Sequence, residues 1–263
     1  IEKSQNLLYN TGFQHKIDVE KHMAEIKVKE AEIENEKSLR NSVLAGLGGL
    51  LIFSGILFVQ KRRIGKQRAI SDNLLKNILP AETAEELKRT GTAKAKNYDS
   101  VTVLFTDFKN FTAMSNKLSA EQLVQEINYY YSNFDKIIAK HNLEKIKTIG
   151  DSYMCAGGLP VATKTHATDV IRAAVEMIRF TEQEKQHRQR IGKIFLEMRI
   201  GVNTGPVVAG IVGIKKFTYD IWGNAVNIAS RMESAGVEGR INISETTYEL
   251  VKHEYKCIYR GEV

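Results

Sequence analysis

Apolar positions along the chain follow three regimes. From residue 13 to 42, Val19, Met23, Ile26 and Ile33 recur at heptad-like spacing through a segment rich in Glu, Lys, Ala and Ile, with Glu30 interrupting the seam. This predicts one long helix, either solvated on its own or paired with a second copy. Val43 to Val59 is then apolar on every side for 17 uncharged residues, the short end of what crosses a bilayer. In the third regime, amphipathic and strand-like runs alternate. Ile70, Leu74 and Ile78, with Leu75 and Leu79, form a helical stripe that Pro80 must end. AETAEELKRT makes a second helical piece closing at Gly91.

From Tyr98 onward the pattern is that of a folded domain. VTVLFTD, residues 101–107, is a continuous apolar run of the buried-strand type. Ser119 caps AEQLVQEINYYYSNFDKIIAKH, in which Leu123, Ile127, Tyr130, Tyr131, Phe134 and Ile138 recur at helical spacing. LEKIKTIGDSYMCAGG alternates with period two about Gly150-Asp151 and predicts a hairpin. HATDVIRAAVEMIRFTEQEKQHRQR predicts a second long helix, and FLEMRIGVNTGPVVAGIVG reads as a second hairpin turning at Asn203 to Pro206. A strand in KFTYDIWG, a helix in NAVNIASRMESAG stopped by Gly236, INIS, a short helix from Glu245 and the strand-like YKCIYRG complete the series. The sum is an α+β fold with helices on one face of a mainly antiparallel sheet.

Charge changes this picture in one place. Much of the formal net charge of +7 is concentrated in QKRRIGKQRA, residues 60–69, where Lys61, Arg62, Arg63, Lys66 and Arg68 stand without an acid directly after the apolar run. A basic block in that position orients a span and does not point to nucleic acid. It places residues beyond 60 in the cytoplasm and residues 1–42 outside, in a single-pass protein of the cell (inner) membrane. The polar stretch ahead of the apolar run is too long for a signal peptide. Ala45 and Gly49 form a small-xxx-small pair that would let two spans pack closely. Cys155 and Cys257, on the cytoplasmic side, make no disulfide framework. The chain opens at Ile1 and closes on Val263 in strand-like sequence, so the expectation is a piece of a longer protein with its sensor upstream. The expected organisation is an extracytoplasmic helical segment at 1–42, a transmembrane helix at 43–59, a basic juxtamembrane stretch and helical linker at 60–96, and a C-terminally incomplete catalytic domain at 97–263.

The candidate chemistry rests on two carboxylates. Asp107 ends the first apolar strand and Asp151 occupies the hairpin turn; alone, Gly-Asp is also an ordinary turn dipeptide. If the first strand lies beside that hairpin, the two acids meet at one rim, where hard divalent cations offset their repulsion. Asn227 and Arg231 are four apart and share a helix face opposite Ala225, Ile228, Ala229 and Met232.

Four motifs in order, FTDFKNFT, LEKIKTIGDSYM, GVNTGPVVAGIVG and YDIWGNAVNIASRMESAG, resemble the catalytic domain of class III nucleotidyl (adenylyl and guanylyl) cyclases over residues 97–263. DNLLKNILPAETAEELK is similar to the linker of membrane-bound bacterial members. The resemblance implies a ferredoxin-like, palm-like core that works as a homodimer with active sites at the interface. It implies two metal ions per site, Mg or Mn, held by Asp107, Asp151 and the Phe108 carbonyl. Phe108, Lys109, Asn110, Phe111 and Thr112 would cradle the triphosphate at a helix start. Lys147 and Asp220 match the base-reading pair, Asn227 the residue that orients the ribose, and Arg231 the one that stabilises the pentavalent transition state. Asp107 and Asp151 would come from one protomer, and Lys147, Asp220, Asn227 and Arg231 from the other.

A lysine donor and an aspartate acceptor complement adenine, and guanylyl cyclases carry an acid and a small residue at those positions, so the expected reaction is ATP to cyclic AMP and pyrophosphate. A guanylyl cyclase and a non-catalytic nucleotide-binding signalling domain remain the alternatives. Two departures from the pattern are Asn110, where the family usually has Gly, and a phosphate-contacting lysine that family members carry in a segment following the position of Val263.

Overall fold

The computed structural model describes residues 2–109, 111–213 and 216–262, which divide into two units at residues 1–72 and 73–263. Helix α1, Glu2–Lys76, is one continuous helix. Within the first unit, Val19, Met23, Ile26, Ile33 and the apolar residues of 43–59 are exposed. Its most apolar 18-residue window has a mean hydropathy of 2.3 and is wholly unburied. By length and composition, this helix could cross a membrane.

In the second unit, α1 ends four residues before Pro80, whose φ of −53° starts α2, Ala81–Thr90; Gly91 closes it in the left-handed region at φ 76°. The domain proper begins with β1, Lys96–Lys109, and a single turn, α3, Phe111–Ser115. Helix α4, Ala120–Lys140, is capped by a reciprocal Ser119–Gln122 box. The hairpin β2, Glu144–Ile149, and β3, Ser152–Gly157, turns at Gly150, whose φ of 61° suits a residue without a Cβ. Then follow α5, His166–Arg190; β4, Glu197–Val212; β5, Thr218–Trp222; α6, Asn224–Ser234; β6, Ile241–Ile243; and α7, Glu245–Val251.

The sheet runs β2-β3-β1-β4-β5, antiparallel throughout, with β6 added parallel to β4. Helices cover both of its faces and not one. Along β1, Leu104 and Phe108 join a core with Tyr130, Phe134, Val170 and Met177 of α4 and α5. Val101, Val103 and Phe105 point the other way, into a core with Leu79, Ala84 of α2 and Ala225, Ala229 of α6. Burying each such side chain is worth roughly 1.5–3 kcal/mol. A buried chain of Thr102, Thr204 and Thr247 hydroxyls, extended by His166 Nδ1 2.7 Å from Thr102, ties β1, β4, α7 and α5 together.

Two expectations are corrected. Asn203 to Pro206 is not a turn: β4 passes through it as one strand of 16 residues. Its partner β1 has an irregularity between Tyr98 and Val101, which pair with Val207 and Gly205, so Pro206 stands where no ladder hydrogen bond is required of it. Asn203 is held inside the strand by donating to the Ala225 carbonyl at 2.9 Å. The terminal YKCIYRG forms no strand among the described residues, and Ile258 and Tyr259 are exposed.

Candidate active site

Strand pairing decides what meets what. Thr106 of β1 sits opposite Tyr153 of β3, so Asp107, one residue on, reaches the hairpin turn that carries Asp151. On its other side Asp107 pairs directly with Arg199 of β4. These side chains open into a cleft of about 690 Å³ lined by Asp107, Phe108, Lys109, Phe111, Thr112, Asn116, Asp151 and Arg199.

The electrostatics of this rim are unbalanced. Arg199 Nη2 donates to Asp107 Oδ2 at 2.8 Å and meets Glu233 Oε1 at 3.0 Å, while its Nη1 donates to the Ser234 carbonyl at 3.2 Å. Burial and then the charge of Asp107 push the Asp151 carboxyl above its ordinary range. Burial and the same Asp107 charge raise Glu233. Three carboxylates, Asp107, Asp151 and Glu233, thus gather around one guanidinium. The buried Tyr131 hydroxyl, raised by burial and by both aspartates, has no hydrogen-bond partner among the described residues.

That donor set fits a divalent ion. Asp107, Asp151 and the Phe108 carbonyl would hold it, and among the described residues no three His, Cys, Asp or Glu side chains enclose an ion. Such a half-open oxygen site suits a cation that keeps positions for water and phosphate oxygens.

The remaining expected residues are distributed differently. Lys147 on β2 and Asp220 on β5 form a part-buried ion pair at 2.6 Å, and Asp220 Oδ1 also accepts from the Ile221 amide. Asn227 and Arg231 lie exposed on α6, four residues apart. None of these four lines the cleft that holds Asp107 and Asp151. Phe108 and Lys109 belong to β1, while Phe111 and Thr112 open the five-residue α3. The Phe108 ring packs against Tyr130, Tyr131 and Phe134, leaving only its backbone for a ligand. Lys109 is paired with Glu238. Asn110 lies outside the described residues. Arg199 and Glu233 were not anticipated from sequence; the available signal was a charged residue inside the apolar run LEMRIGV.

A family model described as the adenylate and guanylate cyclase catalytic domain matches residues 93–263. The chain belongs to this family. Its cyclase domain is 40% identical over 194 residues to an adenylate cyclase of Mycobacterium tuberculosis, covering 73% of this chain and 43% of that protein. It is 39% identical over 198 residues to a receptor-type guanylate cyclase of Caenorhabditis elegans, covering 73% and 18% respectively. The chain thus spans less than half the length of these relatives. Among solved structures, the adenylyl cyclase CyaB from P. aeruginosa aligns with a TM-score of 0.61 at 33% identity over 65% of this chain and 88% of that one. The catalytic core of a rhodopsin-guanylyl cyclase with converted specificity, in complex with ATPalphaS, aligns with a TM-score of 0.57 at 35% identity over 62% and 86%. Residues 93–263 are thus a cyclase catalytic domain by family, and relatives named for both base specificities match it.

Proposed function

We propose that this chain is a homodimeric adenylyl cyclase that closes ATP to cyclic AMP with release of pyrophosphate, anchored in the membrane by residues 43–59 with the cyclase domain on the cytoplasmic side. The observation that carries the choice of ATP is the Lys147–Asp220 pair, with Nζ and Oδ2 2.6 Å apart. Adenine presents an acceptor at N1 and a donor amino group at C6, and this ammonium and carboxylate supply the complementary donor and acceptor, already held side by side.

In this reading Asp107 and Asp151 hold two Mg or Mn ions with the Phe108 carbonyl. When bound, the ions supply Lewis-acid stabilisation of the phosphoryl oxygens. Arg199 offers guanidinium donors to the triphosphate, with the backbone of residues 108–112 beside it. Asn227 of the second protomer orients the ribose so that its 3′ oxygen faces the α-phosphorus. Arg231, two helical residues from buried Glu233, stabilises the charge that develops as pyrophosphate departs. Separation of Asn227 and Arg231 from the aspartate cleft supports a site shared between two chains, because one chain exposes its α6 residues where a second can receive them. The basic block after the span supports the orientation.

The test is cyclic nucleotide production by the purified full chain with Mn and either ATP or GTP. ATP turnover should exceed GTP turnover by at least about tenfold, and Lys147→Glu with Asp220→Cys should reverse the preference, since one mispaired polar contact is worth roughly two orders of magnitude or more. Preference of the parent for GTP would overturn the choice of base.

A further inference from the structure

Glu233 is the buried member of the carboxylate cluster, and its place in the fold separates it from Asp107 and Asp151. Arg199 bridges two anchors of different character. Asp107 is 24% exposed and faces the cleft beside Asp151, whereas Glu233 is 9% exposed and sits on α6 behind it. Ser234 Oγ donates to Glu233 Oε2 at 3.1 Å, and the Ser234 carbonyl accepts from Arg199, so two successive residues of α6 grip the same guanidinium. The grip is rigid because α6 lies directly on β4: a Cβ on Gly201 would stand 1.9 Å from the Glu233 amide nitrogen.

A divalent ion at Asp107 would compete with Arg199 for the Asp107 carboxylate, whose Oδ2 the guanidinium already engages. With Glu233 present, the guanidinium keeps a full anionic partner when Asp107 turns to the ion, and it stays at the phosphate end of the cleft. Without that charge, Asp107 is the one carboxylate among the described residues still in an ion pair with Arg199, and the ion must loosen that pair unaided.

We propose that Glu233 is a positioning residue for the triphosphate end of the site, keeping an anionic partner on Arg199 when Asp107 turns to a cation, so that Arg199 stays facing the phosphates. This rests on the reading of the cleft as a triphosphate site and not on the choice of base. Because α6 also exposes Asn227 and Arg231, the same helix ties the phosphate end of one site to the ribose-facing residues of the other.

Two measurements on the full chain test it: Mn binding without nucleotide, read by electron paramagnetic resonance, and steady-state kinetics with the preferred nucleoside triphosphate. Glu233→Gln keeps the shape and hydrogen-bonding capacity and removes the charge. It should weaken Mn binding and raise KM about tenfold each, the scale of removing one partner of a part-buried ion pair, with kcat changed less than about threefold. Glu233→Asp should recover part of both. Binding of adenosine, which has no phosphates, should be unchanged. Unaltered Mn affinity and KM in Glu233→Gln would overturn the proposal, and so would equal weakening of adenosine and triphosphate, which marks a general structural defect. If the parent makes no cyclic nucleotide, the catalytic reading fails, and the Mn comparison still decides the role of Glu233.

Discussion

Gly201 is a point of very close approach between β4 and α6, and replacing it with alanine tests whether the helix must sit that close. A Cβ at this position would lie 1.9 Å from the Glu233 nitrogen, 2.4 Å from the Glu233 Cα and 2.6 Å from the Ala229 carbonyl oxygen. All three are backbone atoms, so no rotamer change relieves the overlap. Restoring an ordinary separation of about 3.5 Å requires α6 to retreat by about 1.6 Å. That retreat opens the contacts of Ala225 and Ala229, both buried against the sheet. Overpacking of this kind costs about 1–3 kcal/mol. For a unit of this size it lowers the melting temperature by about 3–10 °C.

The effect on turnover should be larger, since α6 carries Asn227, Arg231 and Glu233 and a displacement of about 1 Å costs roughly a hundredfold in rate. Near-ultraviolet circular dichroism is the suitable probe of melting, because the 75-residue α1 dominates the far-ultraviolet signal. Activity should be measured well below the transition. A Gly201→Ala protein that melts within about 2 °C of the parent and keeps more than half its activity would refute the close-packing account.

Burial raises the Glu144 carboxyl at the start of β2 to about 7, and its charge is felt by Tyr219 on β5. The folded value lies above the unfolded one, so the stabilisation is complete below the ordinary glutamate range and is lost as pH rises through 7. Allowing for the solvent contact Glu144 retains, urea titrations should show the parent losing about 1–2 kcal/mol between pH 5 and 8 and Glu144→Gln losing little; parallel curves would refute this. For the shared site, Asp107→Ala and Arg231→Ala homodimers should each be inactive, whereas a verified heterodimer of the two retains one intact site and up to about half the parental activity. A silent heterodimer would mean that both residues act within one chain.

The parts of the fold that could be read from sequence are those with local causes. Ser119 caps α4 as expected, Pro80 and Gly91 bound α2 as their backbone preferences require, and Gly150 turns the hairpin with a positive φ. The second hairpin failed for the opposite reason. Asn-Thr-Gly-Pro has the composition of a turn, and only the irregularity opposite it in β1, more than a hundred residues earlier, lets a proline and a glycine continue a central strand. Turn propensity was overridden by a partner that no local pattern reveals. Helices on both faces are legible in β1 itself, because Val101, Val103 and Phe105 alternate with Leu104 and Phe108 and put apolar side chains on both sides. A strand apolar on both faces needs both faces covered.

The candidate site divides along the same line. Asp107 and Asp151 were legible because each stands at the end of a strand pattern, and the register of β1 with β3 then joins them. Arg199 and Glu233 become visible only once β4 is paired with β1 and α6 lies on β4, since Arg199 is 92 residues from Asp107 in the chain. The physical content of the site is nevertheless carried by this late addition. Two aspartates alone describe a place for a cation; with Arg199 shared between Asp107 and Glu233, in the proposed reading a cation and the guanidinium would compete for one carboxylate, and the outcome would set where positive charge is offered to a phosphate chain. Activity should therefore respond to the Arg199 and Glu233 pair as a unit. The effects of Arg199→Ala and Glu233→Gln on KM should fall well short of adding in the double variant, because once the guanidinium is gone Glu233 has nothing left to position.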